Sequence, residues 1–411
     1  MSEPRASVAS EPTIFVLYGA TGDLTKRMVI PAFYTLALEH LLPDQWLLVG
    51  NGRGDVDHED FRRHVCDVLT EFGTKPEGDD WDRFSERLLF AGGGFDSGDP
   101  GSLLDVLEHA KSTIEVGDDV RIVHYFAVPP NAFNELTEAL AEHGLANGSR
   151  VVYDKPFGTS SQAFRELDQV VRAVLDEDQV YRVDHFLGKE ATQELHGSRF
   201  GNGMFSGIWN RDHVRAVQVD VPEDLDIDDR AEFYDATGAL RDMLVTHLFQ
   251  VAAEVAMEPP VDLSAKGLQD ACDAVIAAFR PLDPAETVFG QFDGYRDVEG
   301  IAPDSTTDTF VAARLWIDID RWRDVPFLLR TGKQMARSAQ RVSLLLRAPD
   351  DGPYIDEPND NVLSFSLSGS GAISLTIGVK KPGVGWSSLT RRSSSRSTMS
   401  KEPSHWLRTC A

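Results

Sequence analysis

The sequence predicts two domains in tandem: a doubly wound α/β domain, then an α+β domain with a large, mainly antiparallel sheet left incomplete at its C-terminus. Three observations carry that expectation. Between residues 13 and 183, short apolar runs alternate with helical spacings, as in a parallel sheet covered on both faces. Over residues 184–383 the runs instead alternate apolar and polar residues, the mark of half-buried antiparallel strands. From residue 384 to 411 the chain is rich in Ser and Arg and has neither period, which reads as a disordered tail foreign to what precedes it.

The elements follow in order. Residues 1–12 form a polar lead-in without structure. Thr13 to Tyr18 is a strand that stops at a glycine, and Leu24 to Leu42 has helical spacing. Trp46 to Val49 is a second strand and Phe61 to Phe72 a helix; Arg121 to Val128 and Arg150 to Tyr153 are further buried strands, each followed by a helical segment. In the second domain Val214 to Val221, Thr309 to Ile319, Arg341 to Leu346 and Ile373 to Val379 alternate as strands, with one helical stretch, Gly238 to Met257, among them. If the domain stops at the turn Lys380-Lys381-Pro382-Gly383, the strand ending at Val379 lacks neighbours and exposes a sheet edge.

Composition limits the partners. A formal net charge of -26, from 40 Lys+Arg against 66 Asp+Glu, argues against nucleic acid or an anionic membrane surface. Cys66, Cys272 and Cys410 are too sparse for a zinc knuckle or a redox pair, so no metal site is expected and the thiols fit a reducing, cytoplasmic setting. No signal peptide opens the chain and no apolar run is long enough to span a bilayer.

The loop Gly19-Ala20-Thr21-Gly22-Asp23-Leu24 joins the first strand to a helix, where glycines let the backbone approach a pyrophosphate and helix N–H groups meet it. This predicts a Rossmann-type nucleotide domain, although a glycine turn alone also fits a purely structural role. At the end of the second strand stands Arg53, not an acid, which suits the 2′-phosphate of NADP over the bare ribose of NAD; Thr21 adds a hydroxyl and nearby Asp55 detracts.

Three further segments bring polar residues to strand ends or helix starts: Asp154-Lys155-Pro156-Phe157-Gly158, Arg182 to Glu190 (RVDHFLGKE) and Gly238 to His247. A lysine before proline is held extended. With a helix starting near Leu187, Lys189 falls in its first turn, where N–H groups and an ammonium together hold an anion. Singly, Lys155 also fits an ion pair, Asp184 an N-cap and His247 a satisfied mid-helix histidine.

Taken together, GATGDLTKR, DKPFG, RVDHFLGKE, FYDATGALRDMLVTHL and PFLLRTGK resemble the glucose-6-phosphate dehydrogenase family from Thr13 to about Gly383. The resemblance implies oxidation of C1 of glucose 6-phosphate to 6-phosphogluconolactone with NADP, NAD being a weaker alternative. It implies His247 as general base and Asp184 as the carboxylate that orients it, a sensible pairing for a group that titrates near working pH. It implies His185 and Lys189 on the phosphate, Lys155 near sugar and nicotinamide, and Glu223, Asp242 and Lys333 on the sugar hydroxyls. Gly19, Thr21, Gly22, Asp23, Leu24 and Arg53 would hold the nucleotide. The family forms homo-oligomers through its second sheet. Two positions depart from its pattern: Phe186 stands where a tyrosine is usual, and Ser338, beside Arg337, where a second basic phosphate contact is usual. The competing expectation is a truncated, non-catalytic homologue that keeps only nucleotide binding.

Overall fold

The computed structural model describes residues 11–54, 56–114, 120–154, 157, 161–183, 188–227, 231–348, 361–369, 371–380 and 388–396. The chain divides into two compact units between Val183 and Asp184.

The first unit is a six-stranded parallel sheet in the order β3-β2-β1-β4-β5-β6. Its strands are β1 Thr13–Tyr18, β2 Trp46–Asn51, β3 Leu88–Ala91, β4 Arg121–Phe126, β5 Arg150–Tyr153 and β6 Val180–Arg182. Side chains of β1 alternate between two cores, as a strand requires. Ile14, Val16 and Tyr18 pack with Leu107, Phe133 and Val171 from helices on one face. Leu17 packs with Ile30, Phe61 and Leu69 from helices on the other. The order reverses at β1, whose neighbours are β2 and β4, so a crevice opens where Tyr18 pairs with Phe126 at the carboxyl ends. In open sheets of this kind that crevice binds ligand.

The second unit is an eight-stranded sheet in the order β14-β13-β12-β11-β7-β10-β9-β8. Its strands are β7 Val214–Pro222, β8 Thr287–Gly290, β9 Phe310–Leu315, β10 Phe327–Gly332, β11 Arg341–Leu346, β12 Val362–Ser366, β13 Ala372–Lys380 and β14 Ser388–Arg396. Every neighbouring pair is antiparallel except β7 and β10, which run parallel. The helix Phe249–Ala256 is buried on nearly all sides, and the Trp209 and Trp322 indoles donate to its last carbonyls, Val255 and Ala256, at 2.8 Å each. Those bonds satisfy helix-end acceptors that have no partner within the helix.

Three expectations need correction. The segment 388–396 is not featureless: it forms β14 and pairs with β13 along its whole length, so the edge falls on β14 and not on the strand ending at Val379. Edge pairing uses main-chain N–H and C=O groups and asks little of the sequence beyond freedom from proline, which this Ser-, Thr- and Arg-rich run satisfies. The stretch Gly238 to Met257 is not one α-helix, because the chain breaks at Gly238 and then winds as a π-helix over Leu240–Leu248. The third concerns Lys189: the helix begins at Glu190, which makes Lys189 its N-cap, with φ -73° and ψ 133°. The remaining stretches of the expected lead-in (1–10) and tail (381–387 and 397–411) lie outside the described residues.

Candidate active site

In the first unit the phosphate loop sits at the β1 end of the crevice. Gly19 has φ +75°, and a Cβ there would lie 2.5 Å from the Ala127 carbonyl oxygen, so only glycine fits both the backbone and the space. Main-chain bonds fix the loop: the Gly19 and Ala20 N–H groups donate to Asn51 O, and Gly22 N–H donates to Gly19 O at 2.9 Å. The Thr25 hydroxyl donates to the same carbonyl at 2.9 Å. Thr21 and Asp23 are left exposed, and Asp23 pairs with Arg27 across one helical turn. Arg53 follows the end of β2 and is exposed beside Gly94, whose N–H donates to Gly52 O at 2.9 Å. A loop closed against the neighbouring strand end, with helix N–H groups above it and a guanidinium at the β2 end, fits a pyridine nucleotide.

In the second unit the sugar-binding candidates gather at one end of the sheet. Because β7 and β10 are parallel and Pro222 pairs with Gly332, the next residues, Glu223 and Lys333, leave the sheet side by side. Lys333 Nζ donates to Glu223 Oε2 at 2.6 Å, with side-chain exposures of 14% and 24%. The ammonium also lies 5.9 Å from the Tyr234 ring centroid. Burial pushes the Tyr234 phenol well up, followed by the negative charges of Asp242 and Asp308 and, less, of Glu223. Tyr234 therefore stays a neutral hydroxyl among carboxylates, with Asp242, Glu223 and Lys333 around it.

Asp242 and His247 share the π-wound segment. Five residues apart, they would stand about 140° from each other on an α-helix, whereas i→i+5 winding brings them nearer to one side. The Thr246 hydroxyl follows the same winding, donating to the Arg241 carbonyl five residues back at 2.6 Å. His247 is fully buried and Asp242 partly so. The start of this segment is tied down by Asp308, just before β9: its carboxylate accepts from Leu240 N–H at 2.8 Å, and its carbonyl accepts from Ala239 N–H at 2.8 Å. Gly238, at φ +68° and ψ 169°, makes room for that carboxylate.

Lys189 Nζ donates to Gln340 Oε1 at 2.8 Å. Gln340 ends the loop that starts at Lys333, and in that loop Ala339 N–H donates to Pro222 O at 2.9 Å. Lys189, Glu223 and Lys333 thus reach the same sheet end. Ser338 turns instead to Asp224, with which its hydroxyl bonds, while Arg337 is exposed. Lys155, Asp184, His185 and Phe186 lie outside the described residues. Sequence reasoning missed Tyr234 and Asp308. Tyr234 stood inside a quoted motif, whereas Asp308 caps a helix 68 residues away and left no local signal. Among the described residues no three His, Cys, Asp or Glu side chains gather as a metal site would, and no helix is long and apolar enough to cross a membrane.

Comparison with known proteins assigns both units. Residues 16–194 match the family model for the glucose-6-phosphate dehydrogenase NAD binding domain, and residues 197–406 match that for its C-terminal domain. Glucose-6-phosphate 1-dehydrogenase 2 of Mycobacterium bovis is 38% identical over 91% of this chain and 77% of its own length. The enzyme of Aggregatibacter actinomycetemcomitans is 32% identical over 92% and 80%. A crystal structure of glucose-6-phosphate 1-dehydrogenase from Mycobacterium avium superposes with a TM-score of 0.82 at 34% identity, covering 94% of this chain and 82% of that one. A glucose-6-phosphate dehydrogenase solved in complex with glucose 6-phosphate gives 0.87 at 30% identity, covering 95% and 83%. The chain belongs to the glucose-6-phosphate dehydrogenase family.

Proposed function

We propose that the protein oxidises C1 of glucose 6-phosphate to 6-phosphogluconolactone with NADP, the first oxidative step of the pentose phosphate pathway. The observation that carries the reading is the gathering of Glu223, Tyr234, Asp242 and Lys333 at one sheet end, beside the segment that bears His247, in a chain of this family. Carboxylates and an ammonium on a rigid sheet end suit the hydroxyls of a sugar. His247 takes the C1 hydroxyl proton, and its burial keeps bulk water from competing for that proton. Asp184, assigned by its motif alone, holds the imidazole in the right tautomer and stabilises its charged form. Lys189, at the N-cap of the helix Glu190–Gly201, holds the phosphate with His185; Phe186 offers no hydroxyl there, which weakens substrate binding by about 1 kcal/mol without abolishing turnover. Lys155, likewise assigned by its motif alone, serves sugar and nicotinamide.

When bound, the nicotinamide supplies the hydride acceptor. Gly19, Thr21, Gly22, Asp23 and Leu24 hold its pyrophosphate, and Arg53 reads the 2′-phosphate, which favours NADP over NAD. What supports that choice is the exposed guanidinium at the end of β2. The test is to follow nicotinamide absorbance of the purified, folded protein with glucose 6-phosphate and NADP, then with NAD, then with unphosphorylated glucose. Turnover fastest with the first pair is expected. No turnover would support the non-catalytic reading instead.

A further inference from the structure

Outside this site, the described residues of the second unit include a buried polar cluster that the reaction does not explain. His196 Nε2–H donates to the Glu254 carboxylate, whose Oε1 also accepts from the Cys272 thiol at 3.4 Å. The His196 and Glu254 side chains are only 13% and 10% exposed. Glu254 stands in a helix where its neighbours Val251, Ala252, Ala253, Val255 and Ala256 are fully buried. Buried polar pairs add little net stability over apolar residues of the same size, and their best-attested use is to fix register between elements.

The two elements joined here are the ones that bear on the substrate. His196 lies on the helix Glu190–Gly201, whose N-cap is Lys189, and Glu254 lies on the helix Phe249–Ala256, which continues from the segment bearing His247. Each partner stands seven residues beyond its functional residue. Helices are stiff over that length, so a slide at the pair changes the spacing between Lys189 and His247.

We propose that the His196–Glu254 pair is a positioning link that sets the distance between the phosphate grip at Lys189 and the base His247. It rests on the reading of function above. Phosphate binding then holds C1 against the base only while the link is intact, and a misplacement of about 1 Å lowers rate about 100-fold.

The test compares Glu254→Leu, which removes the link, with Glu254→Gln, which keeps an acceptor at the same reach, and Glu254→Asp, which withdraws the carboxylate by one methylene. Melting temperature, the Kd for NADP, and kcat and KM for glucose 6-phosphate are measured for each. Glu254→Leu and Glu254→Asp should lose about 10-fold or more in kcat/KM, with the Kd for NADP within about twofold, and Glu254→Gln should recover to within about threefold. A link that is merely structural would lower NADP binding and sugar kinetics together with the folded fraction, and that result overturns the proposal. So does equal kcat/KM in the Asp and Gln variants, a contrast that decides the matter even where Glu254→Leu fails to fold. If the unaltered chain does not prefer glucose 6-phosphate over glucose, the reading of function fails first, whatever the variants do.

Discussion

Replacing Gly238 by alanine should damage the protein through a single neighbour, Asp308, and a double-mutant cycle can isolate that route. Gly238 has φ +68° and ψ 169°, a region that residues with a Cβ enter at a cost of about 1–3 kcal/mol. The new Cβ would also lie 2.7 Å from Asp308 Oδ1, so the carboxylate must move, and its other oxygen then releases Leu240 N–H. Loss of such a cap costs about 1 kcal/mol. Gly238→Ala should therefore cost about 2–4 kcal/mol and Asp308→Ala alone about 1 kcal/mol. In the double variant the carboxylate is already gone and only backbone strain remains, so it should be less destabilised than the sum, by about 1 kcal/mol. Hydrogen exchange of residues 238–248 reads the local opening without assuming that both units unfold together, and about 1.4 kcal/mol appears as tenfold faster exchange. Strict additivity would refute the clash with Asp308. Full protection in Gly238→Ala would refute the whole account of the helix start.

Four further outcomes follow from the same geometry. His247→Asn should lower kcat about 10²- to 10⁴-fold while the Kd for glucose 6-phosphate stays close to that of the unaltered chain; loss of binding instead contradicts its role as base. Arg53→Ala should raise the KM for NADP about 10- to 100-fold and leave that for NAD nearly unchanged, and equal effects would remove the guanidinium from the 2′-phosphate. Lys333→Met should raise the KM for glucose 6-phosphate and leave the partly buried Glu223 without its 2.6 Å partner, lowering stability by about 1 kcal/mol in urea titrations; an unchanged KM would take the ammonium out of the sugar site. Burial lowers the His124 imidazole from 6.5 to about 4, so the folded chain refuses a proton that the unfolded chain accepts. Stability is then whole above pH 6.5 and falls by about 3 kcal/mol as pH drops towards 4; His124→Gln, which does not titrate, should flatten that fall, and an unchanged profile would assign it elsewhere.

The first unit was legible because its signals are local. Continuous apolar runs mark β1, β2, β4 and β5, and a glycine directly after β1 marks the phosphate loop. The four-residue β3 was missed, being too short to show a pattern. In the second unit the family resemblance supplied residue identities but not their arrangement. Glu223 and Lys333 are 110 residues apart, and nothing near either says that their strands run parallel. Nor does propensity encode the π-winding that brings Asp242 and His247 nearer to one side. The tail misled for the opposite reason: Ser, Thr and Arg carry no apolar period, yet β14 needs none to pair its backbone with β13.

That one parallel pair in an otherwise antiparallel sheet also accounts for where the site lies. Antiparallel neighbours send their carboxyl ends in opposite directions, so a wholly antiparallel sheet would have put Glu223 and Lys333 at opposite ends. The parallel register brings them together, and the antiparallel neighbour β9 then contributes its beginning, with Phe310 paired to Gly332 and Asp308 two residues before it. Two carboxyl ends and one amino end thus meet at a single rim. Main-chain bonds hold the register past the strands: Glu223 N–H donates to Gly332 O at 2.8 Å, Lys333 N–H to Thr309 O at 2.9 Å, and Met335 N–H to Glu223 O at 2.9 Å. A slip of one residue in β10 would turn Lys333 to the other face of the sheet and break all three bonds. The register of β10 therefore decides whether the ammonium meets the Glu223 carboxylate.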